Sequence, residues 1–125
     1  MLTLKKLPYE FTVCKVKSVT DIDLNADVYF IGKTDNELSL VCKTEDTPKD
    51  TLERNNGWRG FCIEGELDFS LIGILSELSA ILAKNRIVIF AVSTYNTDYI
   101  LVKKDDFDRA MTILADSGYR VLADA

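Results

Sequence analysis

In the first half of the chain, apolar side chains recur in short β-branched and aromatic runs, and segments 2–7, 11–16, 28–33 and 38–43 read as strands. Thr34, Asp35 and Asn36 supply a tight turn between the last two. Only a short helix or turn fits residues 21–26. Residues 44–56 are polar, carry Pro48 and run into Asn55, Asn56 and Gly57, the composition of a connector with room for one helical turn. The sequence is therefore divided there, into halves 1–56 and 57–125.

The second half changes period. After a strand over 58–67, Leu71, Ile74, Leu75, Leu78, Ile81 and Leu82 form the stripe of an amphipathic helix, with Asp68 and Ser70 as alternative N-caps and Asn85 at its end. An apolar strand over 87–93 and a second over 99–103 are joined through Tyr95, Asn96 and Thr97. A second helix begins at Asp105 and Asp106, places Phe107, Ala110, Met111 and Leu114 on one face, and stops at Gly118, before a last strand over 119–122. The order β-α-β-β-α-β predicts an α+β, ferredoxin-like fold, an antiparallel sheet with both helices on one face. The first half reads as a degenerate copy of that plan with its first helix reduced.

Composition narrows the function. The 125 residues are 47% hydrophobic, enough to bury a core without disulfides or metals. The formal charge is −5 and no Lys/Arg block occurs, which sets nucleic acid and anionic membranes aside as partners. The longest apolar run covers residues 87–92, far short of the ~20 residues of a membrane span, so a soluble cytoplasmic protein is expected. Cys14, Cys42 and Cys62 each sit in a strand-like run, where a thiol behaves as a small buried hydrophobe, in keeping with a reducing compartment. There is no histidine, phosphate loop, GxGxxG or SxxK motif, so neither a catalytic residue nor a cofactor is expected. Glu64 and Glu66 share a strand face, as acids on a solvated face do.

Several motifs occur together: Gly57-Trp58-Arg59, Glu64-Gly65, Leu67-Asp68-Phe69-Ser70-Leu71, Gly73-Ile74-Leu75, residues 93–102, and the run from Glu37 to Cys42. In this order they resemble the small tandem ACT-domain proteins of bacteria, and the second half is similar to the ligand-binding halves of the eukaryotic arginine sensors called CASTOR. The chain departs from that pattern at Glu66, usually proline, at Lys33-Thr34, usually Arg-Thr, and at Asn96, usually aspartate. The resemblance implies two ACT-like halves, an amino acid or other small metabolite as ligand, a homodimer, and regulation of a separate effector protein.

An α-amino acid needs clustered N–H donors for its carboxylate and an acceptor for its ammonium. The start of the first helix offers the donors, which makes Asp68, Phe69, Ser70, Gly73 and Ile74 the candidates for the carboxylate end. Thr94, Tyr95, Asn96 and Asp98 bring hydroxyls, an amide and a carboxylate to the hairpin, with Asp98 expected to meet the ligand's ammonium or a basic side chain. Each has a plainer reading: Asp68 and Ser70 as caps, Asn96 and Asp98 as turn residues, Gly73 as a point of close helix packing. The alternative function is an interaction module that pairs without binding a small molecule.

Overall fold

The structure is a computed structural model and describes residues 2–64 and 73–122. In chain order its main elements are β1 (Thr3–Lys15), β2 (Tyr29–Lys33), β3 (Leu38–Lys43), β4 (Glu53–Ile63), α1 (Ile74–Lys84), β5 (Ile89–Ser93), β6 (Asp98–Lys103), α2 (Lys104–Asp116) and β7 (Arg120–Leu122). Two compact units emerge, Tyr9–Trp58 and Met1–Pro8 with Arg59–Ala125, so the boundaries fall inside β1 and β4. The protein is α+β, on the ferredoxin-like plan.

In the larger unit the order β4-α1-β5-β6-α2-β7 gives the six-element plan. β4 lies between β1 and β6, β5 forms the outer strand beyond β6, and β7 pairs with β1. Both helices cover one sheet face. Leu78 and Leu82 of α1 and Phe107, Ala110, Met111 and Leu114 of α2 join Leu4, Phe61, Ile63, Ile100 and Val102 in one buried cluster. Burying each such side chain is worth about 1.5–3 kcal/mol. The helix ends are pinned by polar contacts: Arg109 donates to the Asn85 carbonyl at the end of α1 (3.0 Å) and to Asp106 one turn back (3.2 Å). Asp105 and Asp106 occupy the first turn of α2, where the helix dipole favours acids. Tyr119 donates its hydroxyl to Glu77 of α1 at 2.6 Å.

The smaller unit carries the strand order β2-β3-β1-β4. Single 3-10 turns, Val19–Asp21 and Thr44–Asp46, stand where the larger unit has helices. Its apolar cluster is correspondingly small, built on Cys14, Val16, Ile22, Leu40 and Cys42. Burial pushes the Cys42 thiol up to about 11, well away from a reactive thiolate. The fully buried Thr12 hydroxyl lies 2.9 Å from Asn56 Oδ1 and 3.1 Å from Thr44 Oγ1, joining β1, the second turn and β4.

The two units share one stretch of backbone design, a hairpin together with the helical segment behind it. The Thr34 amide donates to the Glu37 carbonyl and the Thr94 amide to the Thr97 carbonyl, each at 2.9 Å. Lys43 caps the 3-10 turn at φ −58°, ψ 142°, and Lys103 caps α2 at φ −60°, ψ 140°. The backbone geometry of the hairpin and of the residue before the helical segment is thus alike in the two units even where α2 has only a 3-10 turn as its counterpart.

The structure corrects the sequence reading at three places. Strands expected over 2–7 and 11–16 are one 13-residue strand. β7 pairs with Thr3–Lys5 and β3 with Phe11–Lys15, so Pro8, which has no N–H to give, falls between the two paired stretches. The expected connector ends early: β4 starts at Glu53 and carries Asn55, Asn56 and Gly57 within it, Gly57 at φ 83° in the left-handed region that glycine favours. The reduction affects both helices of the first half, since too few apolar residues are spaced to cover a sheet. Phe107, Met111 and the three cysteines are buried as expected, and Trp58 is buried as well.

Two outcomes test this packing. A Cβ at Gly60 would lie 2.5 Å from Leu101 Cδ2 and 3.2 Å from the Ile100 carbonyl, and Leu101 is fully buried. Gly60→Ala is therefore expected to cost about 1–3 kcal/mol in urea unfolding with an unchanged m-value; an unchanged midpoint would refute the close approach. Burial, and then the adjacent Glu77 carboxylate, hold the Tyr119 phenol neutral, pushed up to about 12 from 10. Its folded pKa lies above its unfolded one, so its contribution is complete below pH 10 and is lost as the pH rises towards 12. Tyr119→Phe is expected to flatten the fall in stability across that interval, measured by urea midpoints.

Candidate functional site

The β5–β6 hairpin is set by its register, Ser93 opposite Asp98 and Ala91 opposite Ile100. Thr94 closes the turn twice: its amide and its hydroxyl both donate to the Thr97 carbonyl, at 2.9 and 3.0 Å. Thr97 then turns its own hydroxyl inward, where it is buried and donates to the Ile63 carbonyl at the end of β4 (3.0 Å). The hairpin tip is thereby held at the point where β4 ends and the chain leaves for α1.

Of the hairpin candidates, Thr94 and Asn96 are exposed and Tyr95 is 79% exposed. Asp98 is half-buried and accepts a 2.6 Å hydrogen bond from the Ser93 hydroxyl directly across the hairpin. A carboxylate has several acceptor positions, so this bond orients Asp98 and leaves capacity for a further donor.

Helix α1 begins at Ile74 with Gly73 as its N-cap. Gly73 has φ 84°, and no described atom lies within 4 Å of where a Cβ would stand. Its glycine is thus required by backbone conformation, and the close-packing reading falls away. Among the described residues no side chain caps this end, and the first internal bond runs from the Glu77 amide to the Gly73 carbonyl (2.8 Å). The amides of Ile74, Leu75 and Ser76 precede that bond and form the positive end of the helix dipole. Asp68, Phe69 and Ser70 lie outside the described residues.

Four of the candidates, Thr94, Tyr95, Asn96 and Asp98, thus share one hairpin, and two, Gly73 and Ile74, share one helix start. No hydrogen bond among the described residues links the two groups. Arg59, the cation nearest in sequence to the family motif, has a structural position: it stacks on Phe107 at 4.3 Å and donates to the Leu7 carbonyl (2.9 Å). Among the described residues, no group of three His, Cys, Asp or Glu side chains gathers as a metal site. No described helix is long and apolar enough to cross a membrane.

The sequence pattern of the ACT domain matches residues 53–116, just over half of the chain. The chain belongs to the ACT domain family. No curated protein matches it in sequence. Among solved structures, a protein from Agobacterium tumefaciens is 29% identical with a TM-score of 0.87, over 99% of this chain and 94% of that one. A Vibrio cholerae protein is 15% identical with a TM-score of 0.69, over 92% of this chain and 88% of that one. The aspartate kinase of Clostridium acetobutylicum, described as an allosteric enzyme, is 13% identical with a TM-score of 0.64; the match covers 91% of this ACT chain and 33% of the kinase. At those last two identities the likeness is one of fold.

Thr97 was not among the residues singled out from the sequence. A turn threonine looks solvated when read alone, and only the packing of the hairpin on β4 buries it. Thr97→Val keeps the shape but leaves the Ile63 carbonyl without its partner, and is expected to cost about 1–3 kcal/mol by chemical denaturation. A neutral result would show that the contact does not hold the hairpin.

Proposed function

We propose that this ACT protein is a non-catalytic regulatory sensor of the cytoplasm that binds an amino acid or similar small metabolite in its larger unit, through residues 68–74 and the hairpin residues Thr94, Tyr95, Asn96 and Asp98. The observation that carries the reading is the hairpin itself, whose polar side chains meet solvent while Thr97 fixes its tip at the end of β4. Family membership and the fold shared with an allosteric kinase support it. In this reading the amides at the start of α1 receive the ligand's carboxylate, and Asp98, already oriented by Ser93, receives its ammonium.

The consequence of binding is a shift between conformations of different affinity for a partner, with no bond chemistry. A homodimer that meets a separate effector protein fits such a role. The three buried free thiols agree with a reducing compartment.

A thermal-shift screen against the twenty amino acids tests the proposal, because a ligand that binds only the folded state raises the melting temperature with concentration. A selective rise with one or a few amino acids is expected. Asp98→Ala should abolish it, whereas Ser93→Ala, which removes only the orienting hydrogen bond, should retain a weakened response. No response from the parent protein to any amino acid would favour the interaction module instead.

A further inference from the structure

We propose a second ligand site, in the Tyr9–Trp58 unit, that takes a small organic dicarboxylate with a short aliphatic body. At the end of β1 beside the β2–β3 hairpin lies a cavity of about 550 Å³, within the usual ~300–1,000 Å³ of small-molecule sites. All of its lining residues belong to the smaller unit, so it shares nothing with the helix start and hairpin described above.

Three lysines line it, Lys15 at the end of β1, Lys17 two residues beyond, and Lys33 at the end of β2. None of the three has an ion pair among the described residues. The opposing charges are Asp35 and Glu37 at the hairpin turn, and the Glu37 carboxylate already accepts the Ser39 hydroxyl. The cavity therefore carries a surplus of positive charge in a protein whose formal charge is −5. Unpaired ammonium groups on a concave wall attract anions, and three of them serve two acid groups better than one.

The apolar part of the wall defines the rest of the ligand. Val19 and Leu52 also line the cavity and are 47% and 63% exposed, so both present apolar surface to it. With the half-buried Leu38 they offer a surface that a short methylene chain would cover. The site exists because the 3-10 turn Val19–Asp21 replaces a full helix in this unit and leaves the end of β1 uncovered.

Glutarate, with two carboxylates on three methylenes, is the probe. Titrated into the full chain and followed by backbone amide NMR at low ionic strength, it is expected to shift residues 15–19 and 33–38 saturably and to leave residues 94–98 in place. Butyrate, with one carboxylate, should bind roughly tenfold more weakly. The variant Lys17→Gln/Lys33→Gln, changed only at exposed side chains, should melt with the parent and lose roughly tenfold in glutarate affinity. The proposal is overturned by the absence of saturable shifts at 15–19 and 33–38, by butyrate binding as tightly as glutarate, or by unchanged affinity in the double variant. Shifts confined to residues 94–98 would assign the dicarboxylate to the larger unit and equally overturn it.

Discussion

A β-hairpin one residue out of register presents every side chain to the wrong face, and in this protein the β5–β6 register decides what the larger unit buries. With Ser93 opposite Asp98, Ile100 and Val102 face the helices and enter the core, while Asp98 keeps access to the hairpin tip. The turn that enforces this is closed by one threonine through two hydrogen bonds to the same carbonyl and anchored by a second threonine to β4. The docking face for both helices and the position of the candidate ligand groups thus depend on one turn. These hydrogen bonds hold the backbone geometry of the hairpin.

The same turn occurs in the smaller unit with a different outcome. There the Thr34 amide closes the β2–β3 hairpin in the same way, but no amphipathic stripe comes after it in sequence, so 3-10 turns stand in for helices and the apolar cluster stays small. Reduced cover lowers the hydrophobic stabilisation available locally and leaves strand ends open to solvent. The open end is lined by lysines, whereas the corresponding end of the larger unit offers a hairpin of hydroxyls, an amide and one carboxylate. Two copies of one backbone plan thereby present two chemistries, and that divergence is what separates the two proposed ligands.

Much of the fold was legible because it rests on local pattern. The stripes that became α1 and α2, the turns at residues 34–36 and 95–97, and the buried thiols all derive from periodicity and from what each side chain loses in water. The resemblance to ACT proteins was carried by motifs at these same turns and helix starts. The Asn55-Asn56-Gly57 run was misread as the end of a connector because its meaning depends on which strands pair beside it: a glycine in left-handed conformation can stand within a strand as well as in a turn.

The sequence alone determined the order of elements, the apolar faces of the two helices, and the polar character of the hairpin at residues 94–98, since each is a property of neighbours along the chain. Tertiary structure decided that β7 pairs in parallel with the first residues of β1, that Thr97 is buried on the Ile63 carbonyl, and that Lys15, Lys17 and Lys33 surround one cavity. These are contacts between residues far apart in sequence. Their free energy comes from desolvation and pairing of groups that meet only after the chain has folded, and no local pattern encodes which partner a strand edge or a turn hydroxyl will find.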